Sequence, residues 1–354
     1  MSERKTPKSQ EERAEELPDD LPGQTTARAV LRQALAAGKP SHAYLVTGPR
    51  GSGKHKLARW WAAFLTCQHD SIDHRPCGQC QSCRLRLAGS HPDLQIISPA
   101  DGLLHREEVV EALHRLNLRP QYSAWQVLVI ENADTMSPEA SQALLKTLEE
   151  PPGSALITLT APGIDRLLPT VVSRCQVVSL RGAAVAEVGA WLQKHGVPEE
   201  AARQAAAISS GLPGRAWEMA HSGLADLEPA VELVRSLPGL REQPKDLFTA
   251  VARWAEKYAR REDMQRLVLW MGILYRDLWV YTLTHEQQLL TLPALADTYR
   301  SLNVTSGPYD AARLSSIVLA VEKTLRYLDA YGNPRLALER LALQVAYGVA
   351  GLRA

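Results

Sequence analysis

From Ala27 onward the apolar positions follow two alternating rhythms. The segment ARAVLRQALAAG repeats its apolar residues at helical spacing, and after Lys39-Pro40 comes the short run His42-Ala43-Tyr44-Leu45-Val46-Thr47, which reads as a buried strand. A glycine-rich turn and a second helical segment, KLARWWAAFL, follow at once. Strand, glycine loop and helix in that order open a phosphate-binding α/β unit.

The same alternation continues. Short apolar runs at Leu94 to Ile97, Trp125 to Ile130, Leu156 to Thr160 and Cys175 to Leu180 predict further strands, with helices over Arg106 to Leu116 and Pro138 to Leu148 between them. Ser137 is placed to cap the second of these helices, Pro138 suits its first position, and Pro151-Pro152 stops it. Strands and helices in alternation predict a parallel sheet covered on both faces. Beyond about residue 182 the strand signal ends. Ala184 to His195, Glu199 to Ser209 and Gly214 to His221 predict three short helices. Longer helices follow, separated at Pro238, Pro244, Pro293, Gly307-Pro308 and Gly332-Asn333-Pro334. Trp254, Trp270 and Trp279 lie in these helices beside Leu, Ile and Val and read as bundle core.

Composition narrows the function. The 354 residues carry 40 Lys and Arg against 39 Asp and Glu, so the chain has no global field to draw in nucleic acid. No run approaches the roughly 20 apolar residues that span a bilayer. The charged start MSERKTPKSQEERAEELPDD lacks the apolar core of a secretory signal, so the expected compartment is the cytoplasm and residues 1–22 read as a solvated, disordered tail. A reducing compartment disfavours structural disulfides, which turns attention to the five cysteines.

Four of them, Cys67, Cys77, Cys80 and Cys83, crowd into one stretch. Their spacing suits a tetrahedral Zn²⁺ ion, and a shell of four thiolates leaves no open position for water, so the expected role is structural. An iron–sulfur cluster also takes four cysteines, in other spacings. Cys175 stands apart.

Two further constellations bear on phosphate chemistry. Gly48-Pro49-Arg50-Gly51-Ser52-Gly53-Lys54-His55 fits the pattern G-x-x-x-x-G-K-[ST] at every required place but the last. Gly48, Arg50, Gly51, Gly53 and Lys54 are therefore candidate nucleotide contacts, with Lys54 reaching the β and γ phosphates. His55 offers a nitrogen where the pattern supplies a hydroxyl oxygen to Mg²⁺, a cation that prefers oxygen, so Mg-ATP is not expected to be held in the usual way. The strand end Val127-Leu128-Val129-Ile130-Glu131-Asn132-Ala133-Asp134 is the other constellation. Glu131 stands where a P-loop ATPase holds its metal, and Asn132 stands where the catalytic glutamate belongs; a carboxamide cannot accept the proton. Asp134 is the remaining acid that could serve as base.

Gly23-Gln24, His42-Ala43-Tyr44-Leu45, GPRGSGK, the four-cysteine insertion, ALLKTLEEPP (143–152) and Ser173-Arg174-Cys175 together resemble the bacterial clamp-loader AAA+ subunits of DNA polymerase III. The resemblance implies an α/β P-loop AAA+ domain over 23–182 with a zinc module at 67–83, a small helical lid over 183–222 and an all-α collar over 223–354. Two subunit types share this outline: the gamma/tau ATPase motor and the usually ATPase-deficient delta-prime stator. His55, Asn132 and the segment Gly211-Leu212-Pro213-Gly214-Arg215, where the motor's sensor arginine aligns with Gly214, place the chain with the stator type. The alternative is a gamma/tau-like ATPase. By the same resemblance Arg174 is an arginine finger acting on a neighbour's ATP. The implied partners are gamma/tau and delta subunits, the beta sliding clamp and primer–template DNA in the assembled complex, with no polymerase site in this chain. Lys146, Arg84, Arg86 and Arg260-Arg261 read as surface residues.

Overall fold

The computed structural model describes residues 20–38, 40–99, 102–222, 227–237, 244–305, 310–329 and 332–348. Most of the expected N-terminal tail and the breaks at Pro238 and Gly307-Pro308 lie outside these residues. The chain divides into two compact units, Met1–Glu218 and Met219–Ala354.

The first unit is built on β1 (Ala43–Thr47), β2 (Leu94–Ile97), β3 (Gln126–Ile130), β4 (Ala155–Ala161) and β5 (Gln176–Ser179). They form one sheet in the order β2-β3-β4-β1-β5. All pairings are parallel: Leu45 of β1 lies opposite Leu159 of β4 and Val177 of β5, and Ile130 of β3 lies opposite Ile97 of β2. β1, β3 and β4 are buried along their whole length, which explains why they read as unbroken apolar runs.

Side chains alternate between the two faces as the pleat requires. Leu45, Leu128, Ile130, Ile157 and Leu159 share one core with Val109, Leu113 and Leu116 of α4 (Arg106–Leu116) and Leu144 and Leu148 of α5 (Pro138–Glu149). Tyr44, Val46, Val127, Val129 and Leu156 point the other way. They pack on Leu31 of α1 (Thr25–Ala36) and on Leu57, Trp61 and Phe64 of α2 (Lys54–Thr66). Ser137 caps α5 as its sequence predicts, accepting the Ala140 N–H at 3.2 Å, with Pro138 at the first turn.

Two short helices join these: α3 (Gln81–Leu87) within the cysteine segment, and α6 (Pro169–Val172) between β4 and β5. Neither is predicted by periodicity, since each is too short to show one. Cys175 precedes β5 rather than opening it, and burial pushes its thiol up to about 11. At the described N-terminal end Asp20 accepts from Lys194 Nζ at 2.8 Å and from Trp191 Nε1 at 3.2 Å, and Leu21 is buried. Three helices follow the sheet: α7 (Val185–Lys194), α8 (Glu199–Ile208) and α9 (Pro213–Ser222).

The second unit is helical: α10 (Leu227–Ser236), α11 (Pro244–Lys257), α12 (Arg261–Thr284), α13 (Ala296–Thr305), α14 (Ala311–Asp329) and α15 (Pro334–Tyr347). The long α12 is its axis, burying Leu267, Trp270, Leu274, Tyr275 and Leu278. Trp254 is also buried, while Trp279 is half-buried. Asp277 of α12 is fully buried yet paired, to Arg276 at 2.8 Å, to the Leu292 N–H at 2.8 Å and to the Tyr299 hydroxyl at 3.4 Å. Among the described residues no helix is long and apolar enough to cross a membrane.

Candidate functional site

The loop after β1 and the ends of β3 and β4 meet at the C-terminal edge of the sheet, where open parallel sheets bind their ligands. Gly48 donates its N–H to the Ala161 carbonyl at the end of β4 (3.3 Å), and Arg50 is exposed. Gly53 caps α2 in the left-handed region at φ +82°, where an L side chain is strained. A Cβ there would lie 2.5 Å from Gln24 Nε2, which donates to the Gly53 carbonyl at 3.0 Å. Gln24 thus fixes the loop from behind. Lys54, the first residue of α2, is only 6% exposed, and the buried Ser52 hydroxyl has no hydrogen-bond partner. From the far side Gly214 donates its N–H to the Gly51 carbonyl at 2.8 Å. A Cβ at Gly214 would lie 3.1 Å from that oxygen, a tight contact that a side chain at position 214 could take only if the loop shifted slightly.

Glu131 does not face an open metal position. Its buried carboxylate is gripped at two points by Arg59 of α2: Nε donates to Oε1 at 2.7 Å and Nη2 to Oε2 at 2.9 Å. Such a bidentate, charge-assisted pair uses the oxygens that Mg²⁺ would need. His55, one turn before Arg59, lies 3.7 Å from Glu131 and 3.2 Å from the Thr160 hydroxyl of β4. Burial and the adjacent Lys54 charge push its pKa down to about 4, so the ring is neutral at physiological pH. Thr160 also accepts the Asn132 N–H at 3.0 Å, and Asn132 takes a left-handed turn at φ 52°. Asp134 is half-buried; burial raises its pKa, and its Oδ1 has no hydrogen-bond partner. Arg59 and Thr160 are residues the sequence reading leaves unassigned. The spacing of four between His55 and Arg59, which puts both on one helix face, was the available signal.

Arg174 follows α6 and precedes β5 in the chain. Its side chain is 34% exposed and donates from Nη2 to Glu149 Oε1 at 2.8 Å and from Nη1 to the Thr170 carbonyl at 2.9 Å, with a longer contact to Ser173 Oγ at 3.5 Å.

The four clustered cysteines converge: the sulfurs of Cys67, Cys77, Cys80 and Cys83 all lie within 4.8 Å of one another, and Cys67 and Cys80 are 4.0 Å apart. A tetrahedral shell with metal–sulfur bonds of about 2.3 Å needs sulfurs roughly 3.8 Å apart, so this group can hold one metal ion. Backbone N–H groups already face the sulfurs, Cys77 N to Cys67, Cys80 N to Cys77 and Cys83 N to Cys80, each at 3.4 Å. N–H donors from Gln79 and Cys80 bring the Cys77 thiol down to about 6, whereas burial pushes those of Cys67 and Cys83 up.

A buried hydrogen-bond chain ties this group to the sheet. Ser82 donates to the Thr66 carbonyl at 2.6 Å and meets His91 Nε2 at 2.7 Å, while the Asp93 N–H donates to His91 Nδ1 at 3.1 Å. Burial leads in holding the His91 pKa below its ordinary value. The fully buried Asp93 then accepts the N–H groups of Gln121, Tyr122 and Ser123 at 2.7, 2.7 and 2.9 Å. Burial alone would raise its pKa, but these donors outweigh it and hold the carboxyl below the usual range.

Comparison with known proteins places this geometry among replication proteins. A family model described as "DNA polymerase III, delta subunit" matches residues 23–184. DNA polymerase III subunit delta′ of Pseudomonas aeruginosa is 32% identical over 326 residues, covering 90% of this chain and 96% of that protein. The delta′ subunit of Bacillus subtilis is 24% identical over 321 residues, covering 90% of this chain and 95% of that protein. The tau subunit of Bacillus subtilis is 34% identical over 160 residues, 45% of this chain and 28% of that protein.

Proposed function

The chain belongs to the DNA polymerase III subunit delta′ family, and on that premise we propose that it is the stator of a clamp loader, lending Arg174 to a neighbour's ATP site. The observation that carries this reading is the Arg59–Glu131 pair. A guanidinium sits where an ATPase of this kind would bind Mg²⁺, a neutral imidazole replaces the hydroxyl ligand, and Asn132 replaces the base. The chain's own hydrolysis is therefore lost, whereas Arg174 stands half-exposed with donors to spare.

In this role the partners are gamma/tau and delta subunits, and the assembled ring opens and loads the beta sliding clamp onto primer–template DNA. Arg174 acts in trans: a planar, permanently charged donor neutralises the charge that develops as the neighbour's γ-phosphoryl group is transferred. Residues 183–222 serve as the lid and 223–354 as the collar through which subunits associate. The four-cysteine group holds Zn²⁺ as a structural ion, which fits an all-thiolate shell with no water position.

The test is ATP hydrolysis by the isolated chain and by a loader reconstituted from gamma/tau, delta and this chain. The isolated chain should turn over no ATP. The reconstituted loader should lose most of its hydrolysis with Arg174→Ala while still assembling on gel filtration. Turnover by the isolated chain that Lys54→Ala abolishes would instead identify a gamma/tau-like ATPase.

A further inference from the structure

The two sequence segments that mark this chain, LKTLEEPP and Ser173-Arg174-Cys175, are joined in space by one ion pair. Glu149 is the last residue of α5, and Pro151-Pro152 just beyond it restrict the backbone that follows. Arg174 is held from the other direction, since the Ser173 and Arg174 N–H groups close back on the Pro169 and Val171 carbonyls at 2.9 and 3.2 Å. Both ends of the pair therefore sit on fixed backbone, and α5 packs on α6.

A guanidinium has five N–H donors. In Arg174 three of them face Glu149, the Thr170 carbonyl and Ser173, and the other two stay available to an incoming anion. We infer that Glu149 is a positioning residue for Arg174, fixing its guanidinium at one place on the surface so that it meets a neighbour's γ-phosphate already ordered. This rests on the arginine-finger reading above. Arginine is flexible along its stem, and an unheld side chain would have to be ordered during the reaction itself. The competing effect, that Glu149 retains Arg174 and so inhibits it, is weak, because an exposed ion pair is a poor rival to a triphosphate. Glu149 is the one carboxylate paired with Arg174 among the described residues.

The experiment uses the reconstituted loader, with kcat and KM for ATP measured for the wild type, Glu149→Ala, Glu149→Gln and Arg174→Ala. Glu149→Ala should lower kcat about three- to tenfold at unchanged KM. Glu149→Gln keeps an acceptor oxygen for Nη2 and should stay within about twofold of wild type. Assembly and thermal unfolding should be the same for all four proteins, which separates positioning from a structural role. An unchanged or raised kcat in Glu149→Ala, beside a large loss in Arg174→Ala, overturns the positioning role and leaves the finger intact. No loss in Arg174→Ala overturns the finger, and the positioning role falls with it.

Discussion

Arg59 reaches across from α2 to close both oxygens of Glu131, at 2.7 and 2.9 Å, where a nucleotide-hydrolysing relative would coordinate a metal ion. The pair is intramolecular and bidentate, so the Glu131 charge is already neutralised within the chain.

Removing the guanidinium should therefore cost stability without restoring catalysis. Arg59→Ala leaves a buried carboxylate unpaired, and an expected loss of about 1–3 kcal/mol is measurable as a lowered urea midpoint. ATP hydrolysis by the isolated Arg59→Ala chain should remain at background, because Asn132 still lacks a carboxylate.

His55 gives this site a pH signature. In the folded chain it takes up a proton only near pH 4, whereas in the unfolded chain it does so near the ordinary value of about 6.5. Between those values the unfolded state binds more protons, so stability falls as pH is lowered from 6.5 towards 4 and is fully present above 6.5. His55→Gln cannot titrate. From pH 7.5 to 4 the wild-type urea midpoint should fall relative to that of His55→Gln, whichever protein starts higher.

The cysteine group should hold one ion per chain, measured by elemental analysis after gel filtration. Cys80→Ser should abolish that stoichiometry. With the ion present a thiol reagent should modify only Cys175, and slowly, since burial pushes that thiol up to about 11. A chelator should make the other four reactive.

Asp93 anchors the turn before β3 through three accepted N–H bonds. Asp93→Ala takes the acceptor from three backbone N–H groups of a partly buried turn, and the expected loss is about 1–3 kcal/mol by urea unfolding. Hydrogen exchange should show the earliest change in residues 119–125.

Much of this fold is legible in the sequence because each central strand is buried on both faces, and each helix start carries its own local signal. Ser137 and Pro138 start α5 from two adjacent side chains, and β3 is visible as five consecutive buried residues. The four cysteines are legible for the same reason, since chemistry and spacing lie within one short stretch. What the sequence does not display are pairings between residues far apart in it. Arg59 and Glu131 are separated by 72 positions and Glu149 and Arg174 by 25. The spacing of four from His55 puts Arg59 on the same helix face, but that alone does not distinguish it from a solvated helix arginine. The short α3 escapes because the backbone around Cys80 and Cys83 is shaped by its sulfurs, with Cys80 capping the helix through its side chain, rather than by an apolar stripe.

The hydrogen-bond chain from Ser82 through His91 to Asp93 gives the cysteine group a reach beyond its own loop. It ends beside β2, which among the described residues pairs with β3 alone and so lies at the edge of the sheet, with Ile96 exposed. An open edge is a template for pairing with another chain. A metal ion on the four cysteines would steady Ser82 and, through His91, the start of β2 at that edge.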